Sequence, residues 1–386
     1  MSELAAHYSR FGVSERVLLT GHSHQAWPDV ARDGVIEAFD DAALHVDDKW
    51  ERAFAKAERV RAGYRALLGE PAAQIALGAS THELVLRFLS ALDLRARPRL
   101  VTTDGEFHTL RRQLGRIGEA GVEVVRVGVE PLETLTERLA HAVDEFTAAV
   151  LVSSVLFETA RIVPDLALLA TMTADHGAEL LVDAYHHLGV VPFDPNGLHG
   201  AWIVGGGYKY LQLGEGNCFL RLPPQAEAMR PVITGWYAEF DALSTRFAPP
   251  EGSAHSAGGD PTPAGVRYLE GAARFAGATY DPTSHYRAAR VFDFFVEQGL
   301  TPEVLRAISL RQTTVIAQRL GLPDDREGYG GFVALHSRRA SELCDALRGQ
   351  GIHTDVRGEM LRLGPAPYVS DAQLLHATDA LAAMIR

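Results

Sequence analysis

The chain has 386 residues, 47% apolar and 22% charged, with a formal net charge of −12. That length favours a large and a small domain over one core, the acidic balance argues against a sequence-independent nucleic-acid binder, and no segment approaches the ~20 apolar residues that cross a bilayer. Cys218 and Cys344 fit no zinc or redox spacing, and the N-terminus lacks a basic n-region and an apolar core, so a reduced cytoplasm is the expected location.

Residues 1–20 are polar and mixed, an N-terminal helix or arm. Gly21-His22-Ser23-His24-Gln25-Ala26-Trp27-Pro28 reads as a loop, and its two histidines, without a third ligand in register, do not make a metal site. Residues 29–68 read as mostly helix, with Val35, Ala38, Phe39 and Ala42 at the spacing of an amphipathic face, and Gly69, Glu70 and Pro71 stop it. Strands are then expected at 74–77, 100–103, 122–127, 148–153, 179–183, 201–204 and 218–222, with helices at 82–92, 109–120, 133–145 and 167–175 between several of them. The strands are short and apolar at both alternating positions, as in a sheet covered on both faces. The alternation predicts an α/β fold with a mostly parallel seven-stranded sheet between helices. Residues 223–265, rich in Pro, Gly, Ser and Ala, read as a loop-rich connection. Helices at 266–276, 285–298, 341–349 and 370–386, with apolar runs at 331–336 and 360–363, give a small α+β C-terminal domain. The expected division is an N-terminal arm and helix, 1–45, contributing to the small domain, a large domain, 46–275, and the small domain, 276–386.

The chemistry centres on two strand ends. The run 179–183 closes on Asp183, and the run 201–204 is followed by Gly205-Gly206-Gly207-Tyr208-Lys209-Tyr210. A strand ending in Asp and a later strand ending in Lys are what a pyridoxal 5'-phosphate (PLP) site needs. The amine forms a Schiff base with the cofactor aldehyde, and the carboxylate keeps the ring nitrogen protonated so that the ring accepts electrons. Either residue alone reads as a solvated charge or a helix cap. Leu77-Gly78-Ala79-Ser80-Thr81-His82-Glu83 follows a strand and opens a helix, so Ser80, Thr81 and the helix N-terminus form a candidate phosphate cup; Ser80 or Thr81 is equally a plain N-cap. Phe107, beyond the strand 100–103, can stack on a pyridine ring or pack in the core, with His108 the other stacking candidate. His186, three residues after Asp183, holds that carboxylate, approaches the cofactor oxygen, or titrates as a loop histidine. The Tyr208 hydroxyl suits the phosphate. Arg362, between leucines, wants an anion: the α-carboxylate of an amino-acid substrate, or an internal partner such as Asp355 or Glu359.

These segments together resemble the fold-type I PLP enzymes, and among them the class V aminotransferase group, nearest to kynureninase. The likeness rests on Asp183-x-x-His186, on Tyr208-Lys209-Tyr210-Leu211 with Gly214 and Gly216, on Gly235-Trp236-Tyr237, and on Arg362-Leu363-Gly364-Pro365-Ala366-Pro367-Tyr368. It spans about residues 18–368. The resemblance implies catalytic Lys209 and Asp183, with Phe107 stacking and Ser80, Thr81 and Tyr208 on the phosphate. It also implies Arg362 on the substrate carboxylate and a homodimer with shared sites. The chain departs from the kynureninase pattern at Leu110, where an acidic phosphate-holding residue is usual, at Glu158 in place of an arginine, at Gly21-His22-Ser23-His24-Gln25, and at Gly259-Asp260-Pro261. The implied activity is a PLP-dependent, kynureninase-like side-chain cleavage of an amino acid, hydrolytic or eliminative. Amino transfer is the alternative, and a non-catalytic PLP-fold sensor a further one.

Overall fold

The computed structural model describes residues 3–239 and 266–385. Its centre is β5 (Thr147–Ser153), seven residues all buried. Around it lie β2 (Gln74–Gly78), β3 (Arg99–Thr103), β4 (Glu123–Val127), β6 (Glu179–Asp183), β7 (Trp202–Gly206) and β8 (Cys218–Leu222), in the order β2-β8-β7-β6-β5-β3-β4. Neighbours from β7 to β4 pair in parallel, while β8 runs antiparallel to both β7 and β2. Side chains alternate between two cores. Val150, Val152, Val182 and Ile203 face one, and Leu151, Leu181, Trp202 and Val204 face the other. Both faces are therefore dry, which is why these strands read as continuous apolar runs rather than as alternating ones.

The described helices are α1 (Val30–His45), α2 (Lys49–Leu68), α3 (Thr81–Ala91), α4 (His108–Glu119), α5 (Leu135–His141), α6 (Leu166–Asp175), α7 (Thr283–Glu297), α8 (Pro302–Leu320), α9 (Ala340–Arg348) and α10 (Asp371–Ile385). In the C-terminal part β11 (Asp355–Arg357), β12 (Met360–Leu363) and β9 (Val333–His336) form an antiparallel sheet. The N-terminal β1 (Val17–Leu18) pairs in parallel with β10 (Ile352–His353), and Gly21 and Leu19 exchange backbone hydrogen bonds with Gly364. The chain start is thus stitched to residues more than three hundred positions later.

Four expectations differ from the structure. The α1 face that packs carries Ala31, Gly34 and Ala38, not the larger apolar residues: a Cβ on Gly34 would lie 2.6 Å from Tyr286 O, so small residues let α1 press on α7 while Phe39 points outward, 73% exposed. The helix expected at 266–276 is only a 3-10 turn, Gly271–Phe275. The helix expected at 133–145 ends at His141, after a 3-10 turn at Leu132–Thr134. α8 had no counterpart in the sequence reading, although Thr301 caps it by accepting from Val304 N, Pro302 opens it and Gly321 closes it in the left-handed conformation. Gly259-Asp260-Pro261 lies outside the described residues.

Candidate active site

The parallel strands end along one edge, and the site is built there. Ser153 and Val204 flank Asp183 in register, so its carboxylate sits at the carboxyl edge between β5 and β7. The Tyr185 amide donates to Asp183 Oδ1 at 2.8 Å. Burial raises the Asp183 carboxyl above its ordinary pKa, with that amide and Lys209 pulling the other way.

Lys209 reaches the same edge because the chain turns tightly after β7. A Cβ on Gly206 would meet Cys218 Sγ and the Tyr185 ring at 2.6 Å, and one on Gly207 would meet Leu213 at 2.3 Å, so side chains there would push the turn open. Hydrogen bonds from Gly207 N to Asn217 O and from Leu213 N to Gly207 O close the loop, and Gln212 occupies φ 61° within it. The buried Lys209 amine is 4.7, 5.4 and 5.8 Å from the ring centroids of Tyr185, Phe107 and Tyr208. Burial brings its pKa down to about 7, against the upward pull of Asp183. Its Nζ lies 2.5 Å from His186 Nε2. Burial and Lys209 hold His186 far below its usual pKa, so the ring is neutral. Its Nδ1 is buried and has no hydrogen-bond partner among the described residues.

The sequence-predicted residues thus fall into groups. Lys209, Asp183, His186, Phe107 and Tyr208 converge. Ser80 and Thr81 stand beyond Cys218: the Thr81 amide donates to Cys218 Sγ, whose sulfur is 4.0 Å from the Tyr185 hydroxyl, and the Tyr185 ring is 5.1 Å from that of Tyr208. Ser80 is the N-cap of α3 and accepts from Glu83 N at 3.2 Å, while Glu83 accepts from Ala79 N at 3.0 Å. As an N-cap acceptor, Ser80 keeps its hydroxyl proton free to donate. Arg362, 2% exposed, forms a two-pronged pair with Asp355: Nε to Oδ1 at 2.8 Å and Nη2 to Oδ2 at 2.5 Å. The internal partner left open by the sequence is therefore realised.

Glu106 is a residue that sequence reasoning missed. It is buried one position before Phe107, wedged between the ends of β3 and β5. Its carboxylate accepts from the Thr103 hydroxyl at 2.7 Å, the Ser153 amide at 3.1 Å and the Ser153 hydroxyl at 2.6 Å. Burial pushes it up to about 7, opposed by these hydrogen bonds and aided by Asp183. The folded protein keeps this proton up to about pH 7, while the unfolded chain releases it near the ordinary 4.5, so the parent protein loses stability across that window as pH rises. Glu106→Gln cannot ionise. Its stability relative to the parent is expected to grow by about 3 kcal/mol over the same window and then level off. Denaturant unfolding at stepped pH measures this; a pH-independent difference would contradict it.

Comparison with known proteins agrees with this architecture. A family model described as the kynureninase C-terminal domain matches residues 300–381. An uncharacterized aminotransferase, YcbU, of Bacillus subtilis is 24% identical over 357 residues, 90% of this chain and 89% of that protein. A kynureninase of Bacillus cereus is 24% identical over 320 residues, 76% of this chain and 69% of that protein. Among solved structures, a variant of the cystine C–S lyase C-DES, with glycine covalently linked to its PLP cofactor, has TM-score 0.79 at 17% identity, covering 98% of each chain. The fold is therefore PLP fold type I. Over most of its length the chain is similar to an aminotransferase and to kynureninases at 24% identity, and its C-terminal region resembles that of the kynureninases.

Proposed function

We propose that the protein is a PLP-dependent enzyme acting on an α-amino acid, with Lys209 as the residue that carries the cofactor. The observation behind this reading is the buried Lys209 amine, brought down to about 7, enclosed by three aromatic rings beside Asp183. The residues fit the group. An amine in such a cage has no counter-ion in hydrogen-bond contact among the described residues, and the buried His186 Nδ1 lacks a partner. PLP supplies an aldehyde that captures amines and a ring that accepts electrons from the adjoining carbon.

The chain's own groups divide the remaining work. With PLP bound, Phe107 would cover a face of its ring, Asp183 would keep a proton on the ring nitrogen, and Tyr208, Ser80 and Thr81 would donate to the phosphate. Lys209, with a pKa near neutrality, takes and returns the proton at the substrate Cα. Arg362 receives the substrate carboxylate. A guanidinium has five N–H groups; Asp355 takes two and Phe157 O one, leaving two for a ligand.

For the reaction branch we favour hydrolytic or eliminative cleavage of the amino-acid side chain. Support comes from the kynureninase-type C-terminal region and the likeness to a C–S lyase. The alternative is amino transfer, supported by the YcbU relative, which spans most of both chains. Incubation with an amino-acid panel, with and without a keto acid, separates them: side-chain fragments released without keto acid support cleavage, and strictly keto-acid-dependent turnover excludes it.

The reading includes a homodimer. Val35, Ile36, Phe39, Leu44 and Val46 are exposed apolar side chains along and just beyond α1, and Phe39, the aromatic of the set, is the interface residue we propose. Phe39→Asp is expected to shift the protein from dimer to monomer in sedimentation velocity. A variant that stays dimeric, or a monomeric parent protein, contradicts this.

A further inference from the structure

The geometry points to His22 as a positioning residue for the substrate carboxylate, acting on Arg362 through Asp355. This deepens the proposed function and rests on it. The Gly21-His22-Ser23-His24-Gln25 loop departs from the kynureninase pattern and is left without a role by the groups assigned so far. Backbone hydrogen bonds from Gly21 N to Gly364 O and from Gly364 N to Leu19 O fix it against the end of β12, one residue after Leu363. His22 is fully buried there. Its Nε2 lies 2.7 Å from Asp355 Oδ1, the same oxygen that accepts from Arg362 Nε. An ionised carboxylate only accepts, so His22 Nε2 carries the proton and donates.

The packing around this relay is specific. The His22 ring lies on Phe332 at 4.6 Å, and the Arg362 guanidinium is 5.4 Å from the same ring. A Cβ on Gly364 would fall 2.1 Å from His22 Nδ1, so the ring is seated where only glycine leaves room. Asp355 pairs with Arg362 and lies 3.5 Å from Arg357. Burial holds His22 down to about 4, hence neutral near pH 7. The His22, Asp355, Arg357 and Arg362 group then carries two cations and one anion, an excess of one positive charge. A single substrate carboxylate cancels it. Without the His22 hydrogen bond, Asp355 loses one of its anchors and the Arg362 fork loses its fixed aim. A misplacement of this kind weakens carboxylate binding specifically.

The test uses PLP-loaded protein, read by visible absorbance, with L-alanine and with ethylamine, which lacks the carboxylate. His22→Phe keeps a ring against Phe332 and removes the donor, and His22→Gln keeps a donor. The parent protein is expected to prefer L-alanine to ethylamine. His22→Phe is expected to weaken L-alanine about tenfold with ethylamine unchanged, and His22→Gln to recover most of the preference. Equal weakening of both amines marks a purely structural role and overturns the proposal, as does an unchanged preference in His22→Phe. The chromophore is recorded before any amine is added: its absence from the parent protein would overturn the cofactor reading and this inference together, whereas loss of the amine pattern alone overturns only this inference.

Discussion

Lys209→Ala is expected to lower turnover of the amino-acid substrate by about ten-thousand-fold without unfolding the protein. The amine sits in an aromatic cage and its nearest hydrogen-bonding group is a neutral imidazole, so the folded state spends desolvation energy to keep it there. Truncation removes that cost together with the base. Thermal unfolding of the cofactor-free variant should match or exceed that of the parent, while steady-state assays show the loss. A variant retaining a tenth of the parent turnover, or one that fails to fold, contradicts the role given to this residue.

The second large effect is expected from Asp183→Asn, about a thousand-fold in turnover. Asparagine keeps the shape and can still accept from the Tyr185 amide, so the strand edge is preserved. What it removes is the negative charge. That charge favours a proton on the cofactor ring nitrogen and also raises the Lys209 pKa. Its loss moves the Lys209 pKa further below about 7, so the limb of the pH–rate profile governed by this base shifts to lower pH as the maximum falls. Turnover within tenfold of the parent, or a limb displaced to higher pH, contradicts the assignment.

The sheet was legible because it is doubly covered. The central strands β5 to β7 are apolar runs, and the seven expected strands form within a few residues of their expected ends. Lys209 and Asp183 stood out as a pair at two successive strand ends, since either alone reads as a solvated charge. The contacts that organise the rest were not legible. Asp355 and Glu359 were both open as partners of Arg362, and only hairpin register selects Asp355, while His22 meets Asp355 across 333 positions of sequence. Nothing local signals that Glu106 is buried, since an acidic residue after a strand normally reads as solvated. α1 shows the opposite error: its large apolar residues suggested a core face, but the close approach to α7 at Gly34 selected the small ones. α8 was readable from its Thr301-Pro302 start and Gly321 stop, but its low amphipathicity hid it.

The central claim is a covalent one, and it is tested by reconstituting the purified protein with PLP, reducing with borohydride and mapping the labelled peptide by mass spectrometry. The account predicts a yellow protein whose phosphopyridoxyl mass is fixed on Lys209, and no such label in Lys209→Ala. A colourless protein, or a label spread over surface lysines with residue 209 unmodified, would contradict it.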